Sequence, residues 1–92
     1  MARKKKTASL PQLNFDVILD YHGYTADQAI YELEEALYIH SGRSVLIIHG
    51  RGSGILKTRI REFLRTSQLP LSVEFGEDLN LPGGDGVTAV YL

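Results

Sequence analysis

The side chains able to do chemistry together fall in two short stretches. His49-Gly50-Arg51-Gly52-Ser53-Gly54 sets an imidazole and a guanidinium in a glycine-punctuated turn, and Asp20-Tyr21-His22-Gly23 sets a carboxylate two residues from a second imidazole. Breaking a phosphodiester needs a base for the nucleophile, an acid for the leaving oxygen, and positive charge on the transition state. Histidine suits either proton role because its unperturbed pKa is about 6.5. Asp20, His22 and His49 are therefore the candidates for proton transfer. Gly50, Arg51, Gly52, Ser53, Gly54 and Lys57 are the candidates for holding the phosphate. Each has a structural competitor. His49 can hydrogen-bond the loop backbone, Asp20 can brace the turn after it, and the glycines can serve only to turn the chain. The spacing is not that of a P-loop, since no Gly-Lys-Ser/Thr follows at the required distance.

The elements that must position these groups can be read from periodicity. Phe15 to Asp20 reads as a first strand, and Ser44 to Ile48, an apolar and β-branched run, as a buried parallel-type strand. Thr25 with Gln28 three residues later has capping-box spacing. It opens a helix whose apolar stripe is Ala29, Ile30, Leu33, Ala36 and Leu37, with Gly42 as the stop. His40 then reads as a partner of that helix's negative end. A second helix after Gly54 buries Leu56, Ile60, Phe63 and Leu64, and Lys57, Arg61 and Arg65 follow at four-residue steps as an exposed basic ridge, which makes Arg61 and Arg65 further candidates for contacting nucleic-acid phosphates. Leu71 to Phe75 and Val87 to Leu92 are the last strands, joined by a polar loop ending Gly83-Gly84-Asp85-Gly86, in which Asp85 reads as a loop residue.

The order is β-α-β-α-β-β. Right-handed crossovers place both helices on one face of a mixed four-stranded sheet whose last strand is antiparallel. Ligands of open α/β sheets bind beyond the carboxyl ends of the parallel strands. Asp20 to Gly23, His49 to Gly54 and the segment Gly84 to Thr88 converge there, which adds Gly84 and Thr88 to the phosphate-binding candidates. Tyr21, beside the site, is a candidate platform for stacking a base.

Composition bounds the rest. The chain has 92 residues, no cysteine and a net charge of −1, which fits one small domain and a cytoplasmic location. No run of about 18 apolar residues is present, so no membrane span is expected. Charge is segregated: Arg3, Lys4, Lys5 and Lys6 mark residues 1–13 as a flexible basic arm, and without them six basic residues face eleven acidic ones. Nucleic acid would have to bind through a local patch, because the body as a whole repels it.

The chain resembles the small MutS-related (Smr) domain family, close to the C-terminal domain of bacterial MutS paralogues. The matching pieces are Leu19-Asp20-Tyr21-His22-Gly23, His49 to Leu56, and Gly83-Gly84-Asp85-Gly86-Val87-Thr88, within a domain spanning residues 14–92. The resemblance implies a two-layer α/β sandwich like the C-terminal domain of a bacterial translation initiation factor. It also implies binding of DNA or RNA and, in several members, endonuclease activity on DNA or on structured or ribosome-associated RNA. Carried over, the two motifs fall on Asp20 and His22, and on His49, Gly50, Arg51, Gly52 and Gly54. Two departures stand out: Tyr21 replaces a usual aliphatic residue, and the MutS-paralogue branch has arginine where this chain has His22.

The expected function is a nucleic-acid endonuclease, with DNA repair as its expected setting. Its rival is a non-catalytic DNA- or RNA-binding module, and a small phosphate-ligand protein stands third. A divalent metal is compatible with Asp20, His22 and His49, but no spacing requires one.

Overall fold

The computed structural model describes residues 14–92; the expected basic arm lies outside them. Its elements are β1 (Val17–Asp20), α1 (Ala26–Ile39), β2 (Ser44–Ile48), α2 (Ile55–Thr66), β3 (Ser72–Phe75), a 3-10 turn (Gly84–Gly86) and β4 (Val87–Tyr91). The sheet order is β1-β2-β4-β3. β1 and β2 are parallel, and β4 runs antiparallel to both β2 and β3. The final strand thus fills the slot between β2 and β3 that the α2 crossover leaves open.

Local chemistry sets the boundaries. Thr25 caps α1, its hydroxyl accepting the Gln28 N–H at 3.2 Å. β1 is two residues shorter at its start than the sequence suggests, because side chains replace the ladder there. The Asp16 N–H donates to the Ser44 hydroxyl, and the Ser44 N–H to the Asp16 carboxylate, each at 3.0 Å. Both helices pack on one face of the sheet. Ala29, Leu33 and Leu37 of α1 and Ile60 and Leu64 of α2 join Val17, Val45, Ile47 and Val90 in one buried cluster. Fully burying side chains of this size stabilises by about 1.5–3 kcal/mol each before entropy is counted. The opposite face is thinner, with Leu46, Val87 and Ala89 covered in part by Phe15 and Leu81. No helix among the described residues is long and apolar enough to cross a membrane.

Gly76 closes this second layer. A Cβ there would lie 2.3 Å from the Gly84 carbonyl oxygen and 2.4 Å from Val87 Cγ2. The turn after β3 and the glycine loop can touch only because that position has no side chain.

Candidate functional site

The parallel register pairs Asp20 with Ile48, so the segments leaving β1 and β2 emerge side by side. The Tyr21 N–H continues the ladder to the Ile48 carbonyl at 2.8 Å. The N–H groups of His49 and Gly50 both reach the Gly86 carbonyl, at 3.0 and 2.9 Å. Three segments distant in sequence are thereby clamped at one edge, as topology predicts. Gly50 has φ +79°, and a Cβ built on it would lie 3.5 Å from His22 Cβ. The two motifs therefore meet where a positive φ turns the chain.

On the outer side, His22 Nδ1 lies 2.6 Å from Asp20 Oδ1, which also accepts the His22 N–H at 3.1 Å. Asp20 thus both braces the turn and orients the ring. With Nδ1 facing the carboxylate, Nε2 is the outward nitrogen of a side chain that is 69% exposed. This is the arrangement by which a carboxylate fixes an imidazole's tautomer for proton transfer.

His49 sits differently. It is 4% exposed, with Nδ1 2.9 Å from the Gly50 carbonyl and Nε2 2.9 Å from the Thr88 hydroxyl. Arg61 Nε donates to the same hydroxyl at 2.8 Å. An arginine nitrogen can only donate, so Thr88 accepts from Arg61 and turns its own proton toward His49 Nε2. Nδ1 then carries the ring proton and donates it to Gly50. Burial first, and the nearby Arg61 and Lys57 charges after it, push the His49 pKa below its ordinary value, against the Gly50 bond that raises it. The ring is neutral with both nitrogens engaged, so the proton shuttle expected at His49 has no free nitrogen in this geometry.

The expected basic ridge is likewise divided by burial. The Arg61 side chain is 11% exposed and paired with Glu77, at 2.9 and 2.8 Å. It also donates to the Val87 carbonyl at 3.0 Å and lies 3.9 Å over the Phe75 ring. This guanidinium braces the edge from inside and is not an open phosphate contact. Thr88, fully buried, is not one either. Arg65 is exposed and pairs with Glu62 one turn away. Lys57 and Arg51 both reach Asp85. Arg51 also donates to the Gly83 carbonyl at 3.2 Å, and a Cβ on Gly84 would lie 3.0 Å from Arg51 Nη2. Gly52 and Ser53 form the exposed turn into α2, Gly54 is its N-cap in the left-handed region with no side chain to offer, and the Ser53 hydroxyl accepts the Ile55 N–H at 3.4 Å. Lys57, Arg61 and Arg65 do line one cleft of about 410 Å³ with Val73 and Phe75.

Tyr21 does not offer the stacking platform expected of it. It is 5% exposed and its ring packs against Tyr24 with centroids 5.2 Å apart. Burial, with Glu32 and Tyr24 adding to it, pushes its phenol up to about 12. Asp20, His22 and His49 do not gather as a ligand set, and no group of three or more His, Cys, Asp or Glu among the described residues is placed to hold a metal ion. Glu77 and Asp85 are the residues sequence reasoning missed. For Asp85 a signal existed, a lone acid in a glycine loop at a basic edge. For Glu77 there was none.

Fold and edge together define a two-layer α/β domain whose candidate site is a rim assembled from three glycine-punctuated segments. The chain belongs to the Smr domain family, whose model matches residues 19–92. It is similar to the endonuclease MutS2 of Caldanaerobacter subterraneus subsp. tengcongensis, 44% identical over 77 residues, covering 80% of this chain and 10% of that protein. The endonuclease MutS2 of Caldicellulosiruptor saccharolyticus is 37% identical over 90 residues, 95% of this chain and 11% of that one. The chain thus spans about a tenth of the length of these curated relatives. The crystal structure of the Smr domain of Thermus thermophilus MutS2 superposes with a TM-score of 0.71 at 32% identity, covering 82% of this chain and 95% of that one.

Proposed function

We propose that this domain is a nucleic-acid endonuclease in which the Asp20–His22 pair transfers the proton. The observation that carries the reading is the exposed His22 ring, held at 2.6 Å by Asp20 and seated beside Gly50. His22 Nε2 takes a proton from the attacking hydroxyl or water as its oxygen bonds to phosphorus and the P–O bond to the leaving oxygen breaks; Asp20 stabilises the imidazolium that forms, and solvent water protonates the leaving oxygen. Arg51, Lys57 and the first turn of α2 supply positive charge for the phosphate. His49 acts at one remove, by fixing the Gly50 carbonyl and with it the turn that carries Arg51. The MutS2 relatives are named as endonucleases, which supports the same class of chemistry.

The test is single-strand nicking of supercoiled plasmid and cleavage of a structured RNA, each with and without divalent metal. Wild type is expected to cleave at least one substrate, and His22→Ala to lose that cleavage while still binding. Binding without cleavage by wild type under all conditions would replace this reading with that of a non-catalytic binding module.

A further inference from the structure

Asp85 stands on the 3-10 turn of the glycine loop, and its two oxygens face two cations from different elements. Oδ1 lies 2.7 Å from Arg51 Nε on the turn after β2, and Oδ2 lies 3.2 Å from Lys57 Nζ in the first turn of α2. Lys57 is 25% exposed, Asp85 41% and Arg51 67%, so Lys57 is the anchored cation, while the carboxylate and Arg51 both face solvent. The Lys57 hydrogen bond first, and the charges of Lys57 and Arg51, hold the Asp85 carboxyl below its usual range. Two cations converging on the paired oxygens of one anionic group is also how proteins hold a phosphodiester.

We propose that Asp85 is the resident occupant of a phosphate site formed by Arg51 and Lys57, and that a phosphodiester oxygen pair binds there by displacing it. The proposal rests on the reading that this edge receives nucleic acid, and it adds a residue that sets how tightly. Asp85 holds the two cations in register in the free protein and reduces the site's charge from +2 to about +1. Weak or poorly placed phosphates fail to displace it. An exposed ion pair is worth little on its own, so displacement by a more highly charged backbone is affordable.

The experiment follows the backbone amides of residues 54–58 by NMR in the full chain as inorganic phosphate is added, for wild type, Asp85→Asn, and Asp85→Asn combined with Arg51→Ala. Asp85→Asn is expected to bind phosphate about 3- to 10-fold more tightly than wild type, and the double variant to lose that gain. With a duplex DNA and an RNA hairpin as second probes, Asp85→Asn should steepen the dependence of log affinity on log salt by about 0.7–0.9, one extra phosphate contact. Unchanged or weaker phosphate binding in Asp85→Asn, with melting temperature preserved, overturns the proposal, and so does the absence of phosphate-induced shifts in both proteins. Tighter phosphate binding with no binding of either nucleic acid upholds the site and removes the nucleic-acid reading instead.

Discussion

Arg61 and Arg65 stand about one turn apart on α2, yet the first side chain is 11% exposed and the second 70%. The histidines divide the same way: His49 is 4% exposed under the helix, and the His22 side chain is 69% exposed at the rim. Inside, each polar atom has a dedicated partner, in a chain from Arg61 through Thr88 and His49 to the Gly50 carbonyl. Outside, the pairs are accessible, among them Asp20 with His22, and Asp85 with Arg51 and Lys57. The inner set fixes the shape of the turn, and in the proposed function it is the outer set that exchanges partners with a ligand. Residue type alone does not reveal which set a side chain belongs to.

The contrast predicts unequal costs. Arg61→Ala should destabilise the fold by about 1–3 kcal/mol, because it leaves the buried Thr88 hydroxyl and the Val87 carbonyl without their donor. Urea denaturation measures this directly, and a loss below about 1 kcal/mol would mean that the inner network bears little of the structure. A smaller effect should appear with pH. The folded state disfavours protonated His49, so its contribution is intact above pH 6.5 and lost as pH falls below it. The steepest slope one such proton allows is about 1.4 kcal/mol per pH unit. Glu77 adds a second window. Its hydrogen bonds to Arg61 lower its pKa from 4.5 to about 2, so that contribution is lost between those values. Melting temperature followed from pH 7.5 to 5 should fall in wild type and fall less in His49→Asn; parallel curves would remove His49 from the account. Smallest of all, Arg65→Ala should change stability by less than about 1 kcal/mol, since its pair with Glu62 is exposed. A larger loss by calorimetry would blur the boundary between inner and outer sets.

Much of the scaffold was legible in the sequence, because periodicity and crossover handedness are local or nearly local rules. The Thr25 cap, the stripe Ala29-Leu33-Ala36-Leu37 and the common edge of three segments all follow from them. What remained hidden depends on tertiary placement. Four-residue spacing puts Lys57, Arg61 and Arg65 on one side of a helix, but only the position of β4 between β2 and β3 brings Thr88 and Val87 under Arg61 and buries it. The same insertion places a hydroxyl against His49 and occupies its second nitrogen. Tyr21 follows strand alternation onto the helix face, where Tyr24 covers it. Gly76 carries no positive φ, and its need for glycine comes wholly from the close approach of Gly84 and Val87.

The central claim is that the exposed histidine does the chemistry and the buried one holds the frame. Single-turnover cleavage of one nucleic acid by wild type, His22→Ala and His49→Ala, with rates referred to the folded fraction of each protein, tests it most directly. His22→Ala should cleave about 10²–10⁴-fold more slowly at unchanged melting temperature. His49→Ala should melt earlier, yet cleave within about tenfold of wild type per folded molecule. The reverse pattern, full activity without His22 and none in folded His49→Ala, would contradict the account.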